Sequence, residues 1–127
     1  MNKVSLVARI LLGVVFSVFG LNGFLHFIPG PMPTGMAGQF ATILAASHYM
    51  IVVSTLQLVA GILLLLNQYV PLALTLLAPV IVNIVLFHAF MAPSGLGLAI
   101  FTTILWILAA YRVRSAFAGL LRRRVEA

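Results

Sequence analysis

Four apolar stretches, Val4 to Ile28, Tyr49 to Leu66, Val70 to Ala92 and Leu96 to Tyr111, constrain this chain more than any other feature. A helix rises 1.5 Å per residue and needs roughly 20 apolar residues to cross the hydrocarbon of a bilayer. The second and fourth stretches are short for that task, and the first is long enough to tilt. The first three are closed by turn chemistry rather than by charge, Pro and Gly after Ile28, Asn-Gln-Tyr after Leu66 and Ala-Pro-Ser-Gly after Met91, and the fourth runs into Arg112. Pro71 falls where a proline opens a helix. Composition agrees, with 64% hydrophobic and 6% charged residues and a mean hydropathy of +1.25, against about 25% charged residues in a soluble domain. The pattern predicts an all-α integral membrane four-helix bundle, one transmembrane domain with a basic tail over residues 112–127.

Between the first two spans lies "PGPMPTGMAGQFATILAASHY". Its beginning reads as loop. Gln39 to Ser47 is too short to span, but Phe40, Ile43 and Leu44 share a helical face, so a short interfacial or re-entrant helix is expected there. In the tail, Phe117, Leu120 and Leu121 share a face while Arg114, Ala118 and Arg122 share another, the pattern of an amphipathic surface helix; a plain stop-transfer signal is the alternative.

Charge sets the expected orientation. Lys3, Arg9 and the arginines from Arg112 onward lie outside the loops, and the single acid is Glu126. Basic flanks stay cytoplasmic, so both termini are expected inside, with the 29–48 and Ala-Pro-Ser-Gly loops on the far side. The run from Ile10 to Ile28 exceeds a signal-peptide core and lacks a small-residue cleavage site, so it reads as a retained span. The net charge of +6 suits an anionic lipid surface. Nucleic acid is not an expected partner, because no basic patch with interleaved aromatics occurs mid-chain. With no cysteine, thiol chemistry is excluded.

In a span each polar side chain must find a partner or cost a few kcal/mol, so the few present are the informative ones. Asn22, Gln57 and Asn83 sit roughly 9 to 14 Å below the outer ends of three different spans, with His26 and His88 roughly 5 Å further out. Asn22 and His26 lie about 40° apart on one face, whereas Asn83 and His88 differ by about 140° unless Pro79 kinks the helix. Gly13, Ser17 and Gly20 form a second, small-residue face, expected to pack on another helix of this chain or of a second copy. Two readings stay open. The amides are interhelical hydrogen-bond glue, or they line a small cavity opening outward in which His26 or His88 meets a headgroup or moves a proton. No metal is expected, since bundle metal sites add carboxylates or a Glu-x-x-His pattern and neither occurs.

The stretch "LNGFLHFIPGPMP" together with "GILLLLNQYVPLALTLLAPVIVNIVLFHAFMAPSG" resembles the DoxX family of small four-span bacterial membrane proteins, over roughly residues 8–117. Asn22 to His26 and Asn83 to His88 carry the most specific part of the likeness. The resemblance implies a multi-pass protein of the bacterial inner membrane. Some relatives are membrane subunits of thiosulfate:quinone oxidoreductases and others belong to oxidative-stress complexes, which implies quinone as a ligand, no covalently bound cofactor, and redox proteins and membrane lipids as partners. The family often carries an acid in the segment where this chain has Gln57, so a carboxylate proton carrier is not expected. A quinone- or lipid-interacting subunit with Asn22, His26, Gln57, Asn83 and His88 as ligand-binding residues is the first expectation. A non-enzymatic scaffold or small-solute pathway is the second.

Overall fold

The computed structural model describes residues 2–30 and 32–126. It contains α1 (Asn2–Leu25), α2 (Gly35–Ala46), α3 (Tyr49–Leu66), α4 (Val70–Phe90) and α5 (Leu96–Arg112), with 3-10 segments at Pro93–Gly95 and Arg114–Leu121. Four of these helices are long and apolar enough to cross a membrane, and α2 is too short. The chain is therefore an all-α membrane bundle with a short helix between its first two spans. Apolar side chains such as Val7, Leu66, Phe90 and Ile107 stand exposed on its outside. In water that surface would be costly, and in lipid it is the solvated face.

The helices form a closed four-sided arrangement in which α1 and α4 each pack against both α3 and α5. The α1–α3 pair is the closest. A Cβ on Gly20 would lie 2.6 Å from the Leu58 nitrogen, and one on Gly61 would lie 2.6 Å from the Ser17 nitrogen and 3.0 Å from the Gly13 carbonyl. Only glycine permits that approach, and in lipid, where no hydrophobic effect drives helices together, such close packing holds the pair. The small-residue face of α1 thus packs within its own chain. The same contacts run antiparallel, Gly13 opposite Gly61 and Gly23 opposite Ser54.

Helix ends differ from expectation in ways the backbone explains. α1 stops at Leu25 and not at Ile28, because His26 turns to φ +51 and the Ile28 amide donates to Asn22 Oδ1 at 2.8 Å. Ile28 also precedes a proline, which disfavours helical geometry. α4 stops at Phe90, two residues early, where the Met91 and Ala92 amides both return to the Phe87 carbonyl and Ala92 precedes Pro93. α2 begins at Gly35, earlier than Gln39, because Ala37 and Gly38 are buried and Gly38 packs on the Pro33 carbonyl. His48, at φ +64, then breaks α2 from α3, and Phe40 leans on Phe87 with ring centroids 5.6 Å apart.

At the other end, α3 closes with a Schellman turn: Gln68 N–H reaches the Leu63 carbonyl at 3.0 Å and Asn67, at φ +55, reaches Leu64 at 3.3 Å. The tail is helical over part of its length. Residues Arg114–Leu121 wind as a 3-10 helix, since Phe117 turns inward to Trp106, with centroids 6.4 Å apart, and leaves Leu120 and Leu121 exposed. Trp106 in turn donates its indole N–H to the Leu74 carbonyl at 2.8 Å, tying α5 to α4.

Candidate functional site

The buried core is confined to one half of the bundle. Leu12, Phe16, Ala60, Leu64, Leu74, Leu77 and Leu105 fill the half nearer the chain termini. Toward the far end, burial in the spanning helices stops at Gly20 in α1, Ser54 in α3, Ile81 in α4 and Ala99 in α5, and among the described residues of those helices none lying further out is buried. Three polar side chains are buried at this limit, Ser54 at 0% exposed, Gln57 at 6% and Thr102 at 4%, beside the apolar Ile81 and Ala99. These three form the polar floor of the packed half, with α2 packed against α3.

Gln57 reaches the interior because it lies on the stripe of α3 that also carries Ala60 and Leu64. The contacts of Gly20 with Leu58 and of Gly23 with Ser54 bracket Gln57 and Asn22, so both belong to one depth. Asn22 is half-buried, but its Oδ1 is engaged by the Ile28 amide. His26 parts from Asn22: its left-handed backbone carries it off the helical path, and it is exposed.

Two of the five expected site residues are turned to other tasks. Asn83 is exposed and donates its Nδ2 to the Pro79 carbonyl of its own helix at 2.8 Å, so it is not brought to the interior. Its helical position, away from Leu77, Val80 and Ile81, puts it on the outer face. His88 is half-buried with Nδ1 3.1 Å from the Ala92 carbonyl and its ring edge-on to Phe87 at 5.1 Å. The imidazole lies so close to Gly95 that no side chain fits there, so it braces the α4–α5 turn.

Ser54 shares with Gln57 the polar and small stripe that its spacing implies, and the structure adds Thr102 from α5. Thr102 bonds the Leu98 carbonyl at 2.9 Å, while Ser54 Oγ is buried without a partner, as is Ser17 Oγ across the α1–α3 contact. Thr102 was legible as an interior residue from the spacing of Ala99, Thr102, Leu105 and Ala109, one stripe of α5. These groups offer neutral donors and acceptors, suited to a carbonyl or hydroxyl. They supply neither a general base of carboxylate type nor an activated nucleophile. Among the described residues no group of three or more His, Cys, Asp or Glu is gathered to hold a metal ion.

Fold and site together define a polytopic α-helical membrane protein whose packed half ends on a neutral polar layer. The DoxX family model matches residues 4–90 of the 127, and the chain belongs to the DoxX family. Neither a curated protein nor a solved structure matches it.

Proposed function

We propose that this protein is a quinone- or lipid-interacting membrane subunit of a redox or oxidative-stress assembly of the bacterial inner membrane, with any electron-carrying cofactor held by a partner protein. The observation that carries the reading is the position of Gln57, a buried primary amide in the last packed layer of the bundle. A neutral amide can donate to a quinone or ester carbonyl without the desolvation cost of an ion. Ser54 and Thr102 flank it, Asn22 stands at the same depth, and His26 and His88 lie toward the rim. Asn83, on the outer face of α4, stands apart from this interior set. The redox assignment rests on the DoxX resemblance, and the binding assignment on the polar floor.

Protein purified in lipid nanodiscs from its native membrane and extracted with organic solvent should yield quinone, and Gln57→Leu should retain about tenfold less, the effect of one lost buried hydrogen bond with its desolvation penalty. The Leu side chain suits the apolar surroundings, so folding should persist. Wild-type protein free of quinone and of any specifically retained lipid would overturn the reading.

The second reading, a non-enzymatic scaffold or solute pathway, is favoured by the local bonding of Asn22, Asn83 and His88 to their own backbone. Under that reading Gln57→Leu leaves both partner recruitment and retained ligand unchanged.

A further inference from the structure

At the end of the bundle opposite the polar floor, a cavity of about 260 Å³ opens between the start of α1, the α3–α4 turn and the end of α5. Its polar lining is Ser5, Arg9, Asn67 and Arg112, and its apolar wall includes Leu6 and Val70. Ser5 and Arg9 are one turn apart on α1 and present to the same side. Ser5 is 3% exposed, yet its hydroxyl has no hydrogen-bond partner among the described residues. Arg9 is half-buried and gives one donor to the Leu64 carbonyl at the C-terminal end of α3. A guanidinium has five N–H donors, so that bond orients Arg9 and leaves most of its donors for another group.

Charge balance shows what is missing. Among the described residues no carboxylate lines the cavity, and the chain's single acidic side chain is Glu126, far along the tail from both arginines in sequence. Two guanidinium groups and a buried, unmatched hydroxyl line a cavity where the described residues offer no anion. Arg9 lies seven residues inside α1, roughly 10 Å from its start. The apolar wall fits the glycerol and first methylenes of a lipid better than it fits a hydrated inorganic ion.

We propose that this cavity binds the phosphate of an anionic membrane lipid, with Arg9 and Arg112 donating to the phosphate oxygens and Ser5 Oγ completing the set. Planar guanidinium groups match phosphate oxygens in forked, charge-assisted bonds, and basic recesses between helix ends hold such headgroups at membrane surfaces. The site is separate from the polar floor and stands whether or not that floor binds a quinone.

The test uses the full chain in nanodiscs of phosphatidylcholine alone or of phosphatidylcholine mixed with phosphatidylglycerol, with lipid retained after detergent transfer counted by native mass spectrometry. Wild type should retain phosphatidylglycerol in preference to phosphatidylcholine. Arg112→Gln, at an exposed helix end, should weaken that retention about tenfold, as expected for a lost charge-assisted bond, and Ser5→Ala should weaken it by a smaller factor. Arg124→Gln removes the same charge outside the cavity and should change retention little. An equal loss in Arg124→Gln, or no preference in wild type, would show only a diffuse basic surface and overturn the site. Equal stabilisation by inorganic phosphate in phosphatidylcholine discs would overturn the lipid assignment. Arg9→Gln is the weaker variant, because it also removes the bond to Leu64.

Discussion

Asn22 shows how one side chain can serve architecture in a position that resembles a binding site. Its carbonyl oxygen holds the Ile28 amide after α1 has ended, and its backbone carbonyl accepts the His26 amide at 2.8 Å. The Asn-Gly-Phe-x-His pattern therefore encodes a helix exit as well as a polar face. Asn22→Ala removes the acceptor and should destabilise the fold by about 1 kcal/mol, while Asn22→Asp, which keeps an acceptor, should lose less. Chemical unfolding in mild detergent, followed by circular dichroism, measures both. Equal loss in the two variants would mean the bond to Ile28 contributes nothing.

Among the elements, the α1–α3 pair is held by backbone proximity. Gly20→Leu forces a side chain into the Leu58 backbone and should cost roughly 1 to 3 kcal/mol or more, since overpacking displaces whole helices. Gly97, in the first turn of α5, has nothing within 4 Å of where a Cβ would stand, so Gly97→Ala should stabilise slightly, by about 0.5 kcal/mol or less, through helix propensity alone. Thermal unfolding of the two variants should move in opposite directions. If Gly20→Leu were neutral, α1 and α3 would pack less closely than their glycines require.

For the whole molecule, an antiparallel set of four spans puts residues 67–69 on the face of the start of α1 and the end of α5, and residues 26–30, 32–34 and 91–95 on the other. The basic flanks predict that the terminal face is cytoplasmic. Thr34→Cys and Ser94→Cys should then react with an impermeant thiol reagent in intact cells, and Gln68→Cys should react only after permeabilisation. Reversed labelling would invert the protein and would move the arginine-lined cavity to the outer leaflet.

The number of spans, the short helix between the first two, and the small-residue face of α1 were all legible in the sequence, because lipid makes each apolar run a helix that must satisfy its own backbone. Depth was legible too, since rise per residue is fixed and Gln57 and Asn22 fall at one level. Partnering was not. Asn22, Asn83 and His88 could each turn inward or bond nearby backbone, and only the folded structure, at the Ile28 amide, the Pro79 carbonyl inside α4 and the Ala92 carbonyl, decided for the latter. Ser5 and Arg9 read locally as a polar residue and a topogenic charge. It took the return of α3 and α5 to the same end of the bundle to set them beside Asn67 and Arg112, because a cavity is a property of distant segments brought together and leaves no local period to read.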